Sequence, residues 1–195
     1  MTLKPVFFNA FGSRPKPLAN QIIRPVVSHH DGDRLLDLLV AKTSAELTDY
    51  ELRTVVGCNL WMLTPEAFLY FLPAFMHASL QSYASVSVFA SELIGALTAP
   101  SRADVVEAVD RLAERPSGLC LPQDRTELLR KQQLEWFDSG APTAIFHERF
   151  DNLTHAEGAA VLAFFVAFQE THGANFPFDE LKIAVDGYWS RYRAS

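Results

Sequence analysis

The sequence predicts an all-α fold: a single compact domain of about seven helices with a proline-rich N-terminal arm. Three observations predict it. Apolar residues recur at helical intervals through most of the chain. Thr48 with Glu51, and Thr154 with Glu157, have the spacing of helix-starting capping boxes. Strand signals are few: Val86-Ser87-Val88 alternates, but inside a longer helical pattern. At 195 residues the chain suits one helical domain, residues 1–195. Hydrophobic residues make up 49% of it and 15 are Phe, so core material is plentiful; disorder needs the opposite composition.

Residues 1–27 carry Pro5, Pro15, Pro17 and Pro25, each of which fixes its own φ and pushes its predecessor toward extended geometry. This predicts an extended arm, with a short edge strand over 21–27 and Phe7, Phe8 and Phe11 packing on the core. The helical core follows over 30–195. Residues 33–41 place Leu35, Leu36, Leu39 and Val40 on one face. Thr48 starts the next helix, with Leu52, Val55 and Val56 facing in and Gly57 ending it.

Residues 65–80 read as a buried helix. Thr64 caps it, Pro65 suits its first position and Glu66 its positive first turn. It is then apolar on every side, and Pro73 should bend or restart it. A helix over 85–98 stops at Pro100. The next starts at residue 101, with Val105, Val106, Val109, Leu112 and Ala113 as its stripe, and ends at 116–118. A helix over 124–138 turns Leu128, Leu129, Trp136 and Phe137 inward. Residues 139–153 are assigned to no element, since Gly140 and Pro142 break the chain, with Phe146 and Phe150 as anchors. Residues 156–171 read as the second buried helix, whose centre, 159–168, is apolar all round. The last helix aligns Leu181, Ala184, Val185, Tyr188 and Tyr192.

Composition excludes several functions. The net charge of −6 argues against nucleic acid, whose binding needs Lys and Arg on phosphates. No stretch reaches the length of a membrane span, and the N-terminus has no secretory pattern, so a cytoplasmic protein is expected. Cys58 and Cys120 lack ligand spacing and read as buried free thiols. Glycine-rich phosphate loops and nucleophile motifs are missing, so no cofactor and no catalytic residue are expected.

The cluster from Ser28 to Asp33 contains His29, His30 and Asp31. The His-Asp pair resembles the metal-dependent HD phosphohydrolases, but those need a further upstream His and none precedes His29. No metal site is expected there, nor at His147, Glu148 and His155, which lack the i, i+4 His spacing. His77 and His172 are single; His172 suits the negative end of its helix.

Asp104, Glu107, Asp110 and Glu114 fall along one broad helix face opposite the valine stripe. An acidic ridge can steer a basic partner, and Glu107 with Arg111 neutralises part of it.

The arm from Ala10 to Pro17, the core phrase from Thr64 to Met76 and the late helix from Leu153 to Phe168 occur in an order that resembles an uncharacterised bacterial domain-of-unknown-function family. Its pattern is an Ala-Phe…Pro arm, a "tPEAf-yfLPaf" core helix and a late Leu-Thr-x-x-Glu helix. The resemblance implies no activity and no site residue.

The expected function is a non-catalytic, cytoplasmic protein-binding domain. Its concrete version is an immunity or antitoxin protein that neutralises a basic toxin through Asp104, Glu107, Asp110 and Glu114. The alternatives are a hydrolase-like enzyme with a non-standard site near His29 to Asp33, and a homo-oligomeric structural adaptor.

Overall fold

The computed structural model describes residues 3–25, 30–113 and 123–193. Among them the regular structure is helical, and β pairing is limited to one isolated antiparallel bridge, Ile23 with Leu63. Ten α-helices appear among the described residues, where about seven are expected: α1 Lys4–Ala10, α2 His30–Ala41, α3 Asp49–Glu51, α4 Pro65–Gln81, α5 Tyr83–Leu97, α6 Arg102–Ala113, α7 Gln123–Asp138, α8 Ala141–Phe150, α9 His155–His172 and α10 Glu180–Gly187. The chain groups into two compact units: Met1–Thr98 with Arg149–Ser195, and Ala99–Glu148.

In the first unit α4 is central. Thr64 caps it by accepting from the Ala67 N–H at 3.2 Å. From Ala67 to Ser79 all its residues are buried except Tyr70 and His77, which are partly exposed. The helix continues through Pro73, where a bend or restart is predicted. The proline withholds one donor from the Leu69 carbonyl, and the packing around α4 outweighs that loss. Phe68 meets Phe75 at 6.1 Å between centroids and Phe150 at 5.9 Å; Phe75 meets Phe89 at 5.4 Å. The buried Arg149 sits 4.5 Å above the Phe68 ring and donates to the Leu60 carbonyl at 2.9 Å.

The extended arm needs correction. Residues 4–10 are helical, because Pro5 lies in the first turn, where its missing N–H is not needed. Phe7 and Phe11 are buried, as expected of anchors, and Phe8 is partly exposed. Ala19–Gln21 is a 3₁₀ turn, and the Ile23 bridge replaces the edge strand; the strand's last residues, Val26 and Val27, lie outside the described residues. In α2, Leu35 and Leu39 are fully buried, whereas Val40 is 43% exposed.

Both expected capping boxes form, and Thr43 with Glu46 adds a third. After Thr48 the chain passes from α3 into a π-helical turn, Leu52–Val56. The helix predicted from residue 85 begins at Tyr83 and kinks at Val86, whose φ/ψ is −126°/25°.

α9 is not buried all round. Phe164, Phe165 and Phe168 are buried, but Val166, on the opposite side, is 53% exposed. The last predicted helix ends early at Gly187 and gives way to a 3₁₀ turn, Trp189–Tyr192. Trp189 is fully buried and donates from Nε1 to the Leu97 carbonyl at 2.7 Å. The Tyr188 hydroxyl donates to the Phe150 carbonyl at 2.9 Å.

Tyr192 lies flat against Gly158, where a Cβ would overlap its ring carbons. Gly158→Ala should therefore displace the C-terminal turn and cost about 1–3 kcal/mol, less the modest gain in helix propensity. Denaturant melts check this: adding Tyr192→Ala should remove the penalty, and equal losses in the single and double variants would contradict it.

In the second unit α6 and α7 run antiparallel. Arg102 Nε reaches Asp138 Oδ1 at 3.1 Å, and Arg130 pairs with Asp110. Val109 and Thr126 are buried. Leu128 and Trp136, predicted to face in, are 54% and 52% exposed, while Leu129 and Phe137 are partly buried. Neighbouring residues differ by about 100° around a helix, so Leu128 and Leu129 cannot both lie on a narrow buried stripe. Residues 139–153, unassigned from sequence, hold α8. Gly140, at φ +77°, closes α7, and Pro142 falls in the first turn of α8. The helix end expected at 116–118 lies outside the described residues.

Candidate functional site

The acidic ridge lies on α6. Asp104 is partly exposed, and the Glu107 side chain is 63% exposed. Asp110 is also accessible but is engaged by Arg130 of α7, and Glu107 lies 3.7 Å from Arg111 one turn on. Glu114 lies outside the described residues. The antiparallel pairing of α6 with α7 thus turns Asp110 toward a cation that spacing along one helix does not reveal. The predicted inward stripe is graded: Val109 is buried, Val105 and Val106 are partly exposed.

Beside these carboxylates is an open hollow of about 490 Å³, lined by Arg102, Ala103, Val106, Glu107 and Asp110. Ala103 and Val106 give it apolar surface, Glu107 and Asp110 carboxylates, and Arg102 is tied to Asp138. This arrangement suits a long cationic side chain, whose methylene stem covers apolar surface while its head reaches a carboxylate.

The other chemistry-bearing residues are dispersed. His30, Asp31 and Asp33 are exposed in the first turn of α2; His29 and Ser28 lie outside the described residues. His147 and Glu148 are exposed on α8, and His155 is exposed at the start of α9. Among the described residues, no three His, Cys, Asp or Glu side chains are grouped to hold a metal ion. His172 places Nε2 3.1 Å from the Leu80 carbonyl and stacks on Tyr83 at 4.5 Å between centroids. Burial pushes the His77 imidazole below its usual pKa, and nearby Lys4 adds to the effect. Cys58 is exposed rather than buried, because it occupies a left-handed turn at φ +64° after the π-helical segment; Cys120 lies outside the described residues.

Glu157 is the most buried carboxylate among the described residues, and its role is structural. Burial opposes its charge, yet bonds from Arg14 and Thr154 hold its carboxyl below the usual carboxylate range. Arg14 Nη2 donates to Oε2 at 3.0 Å and Nε to Oε1; the Thr154 N–H donates to Oε2 at 2.8 Å. A Glu three residues after Thr154 announces the cap. Nothing in the sequence announces Arg14 as its partner, 143 positions away.

No protein family, curated protein or solved structure matches this chain. The resemblance to a domain-of-unknown-function family therefore rests on the quoted residues alone. No helix among the described residues is long and apolar enough to cross a membrane.

Proposed function

We propose that this chain is a non-catalytic, cytoplasmic protein-binding domain, in its most concrete form an immunity or antitoxin protein that neutralises a basic toxin. The observation that carries the reading is the α6 hollow, lined by the apolar Ala103 and Val106 beside Glu107 and Asp110. A Lys or Arg of the partner enters it, and Asp104 extends the acidic surface along the helix. The arrangement of charge also favours a cationic approach, since complementary potentials speed encounter more than they strengthen the final complex.

The test begins with the full chain immobilised in native-host lysate and a captured basic protein identified and purified. Association is then measured at low and high salt. Asp104→Lys with Glu107→Lys should slow association at least tenfold at low salt, with the difference shrinking at high salt. The variant should stay folded and lose no more than about 1–2 kcal/mol, from the first-turn charge of Asp104 and the Glu107–Arg111 pair. Equal association rates for wild type and variant would remove α6 from the interface.

A further inference from the structure

Two neighbouring residues near the C-terminus grip the two points at which the second unit is attached. The chain leaves the first unit after Thr98 and re-enters it at Arg149. Leu97, just before the exit, is the last residue of α5, and Phe150, just after the return, is the last residue of α8. The final carbonyls of a helix have no partner inside it and must find one elsewhere. Trp189 Nε1 donates to the Leu97 carbonyl at 2.7 Å, and the Tyr188 hydroxyl donates to the Phe150 carbonyl at 2.9 Å. All four residues are buried. The Phe150 ring also meets Trp189 edge-on at 5.2 Å between centroids. Tyr188 and Trp189 adjoin in the chain, so one piece of backbone fixes both attachment points.

We infer that the turn over 188–192 is a clasp: it holds together the two ends of Ala99–Glu148 and so governs how readily that segment opens. A segment with free ends has more unfolded conformations than one with pinned ends. Pinning therefore lowers the entropic cost of ordering it, as a cross-link does. When the clasp releases, the unfolded form of the segment gains conformations and opening becomes easier. The coupling is reciprocal, since an ordered second unit keeps its own ends together and favours the closed clasp.

The two sides of this coupling are built differently. The clasp is seated on the core of the first unit. Trp189 meets Phe165 of α9 at 6.4 Å, and Tyr192 lies flat against Gly158 of the same helix. α6 and α7 have less to hold them. Val109 and Thr126 are buried, but Leu128 and Trp136 are more than half exposed. The ion pairs Arg102–Asp138 and Arg130–Asp110 join accessible side chains, where such pairs contribute little. A helix pair with so small an interior gains most from ends that are already together.

This inference is independent of what α6 binds. Hydrogen–deuterium exchange of the full chain, with no partner present, tests it. Tyr188→Phe keeps the ring and removes one donor, Trp189→Phe removes the other, and the double variant removes both. A buried carbonyl left without its donor favours the open clasp. Exchange in α6 and α7 should quicken several-fold in each single variant and roughly tenfold or more in the double, and in each case by more than in α4. Phe71→Ala, which leaves both donors in place, is the control: it should quicken α4 more than α6 and α7. If Trp189→Phe fails to fold, Gly158→Ala shifts the turn through Tyr192 in its place. Unchanged exchange in α6 and α7 in the donor variants overturns the clasp. An equal quickening of α4, α6 and α7 also overturns it, because Tyr188 and Trp189 then support general stability alone.

Discussion

Phe71→Ala and Phe165→Ala should each cost about 3–5 kcal/mol of stability. Both rings are buried, Phe71 at 0% and Phe165 at 1% exposure. Phe71 stacks on Phe75 at 6.3 Å, and Phe165 contacts Phe164 at 5.5 Å and Trp189 at 6.4 Å. Truncation removes the transfer free energy of the ring and leaves a cavity that neighbouring helices fill only in part. Val166→Ala, next along the chain from Phe165 but facing water, should cost well under half as much. Denaturant melts of the three variants separate these expectations. Losses below about 1 kcal/mol at Phe71 or Phe165 would mean that α4 or α9 is misplaced.

Arg14→Ala should be the largest single polar effect, about 3 kcal/mol, because it strands the buried Glu157 carboxylate without its cation. The loss should depend on pH with a definite sign. Glu157 titrates below its unfolded-state value, which is about 4.3 for a free glutamate. Its stabilisation is therefore complete above that value and is lost as pH falls through the lower folded-state value. Wild type and Arg14→Ala should differ by the full amount at pH 7 and converge in acid as pH falls through the lowered folded-state value of Glu157. Stability curves against pH provide the check. A gap that stays constant from pH 7 to 3 would show that Arg14 acts by packing and not through the charge of Glu157.

The features legible in the sequence are those governed by residues near one another in the chain. Thr48 with Glu51 and Thr154 with Glu157 act within one helical turn, and both boxes form. The apolar run from Ala67 to Met76 has no charged side to expose, so the burial of α4 follows directly. The α7–α8 boundary was also within reach, since a closing Gly140 and a first-turn Pro142 are ordinary helix punctuation.

What escaped depends on partners distant in sequence. Trp189 lies outside the predicted core face of the last helix, yet its indole is buried and donates to the Leu97 carbonyl, 92 positions away. Arg14 finds Glu157 in the same long-range way. Leu128 and Trp136 look like core by hydrophobicity, but two paired helices have little interior to offer them. The candidate site was half legible. Helical periodicity places Asp104, Glu107 and Asp110 along α6, but only the neighbouring helix shows that Arg130 engages Asp110.

The central claim is that α6 carries the partner-binding surface. Hydrogen–deuterium exchange of the full chain, alone and saturated with its captured partner, tests this most directly. The account predicts new protection concentrated in residues 102–113, with α4 equally protected in both states. Protection elsewhere on the chain, with α6 exchanging as it does in the free protein, would contradict it.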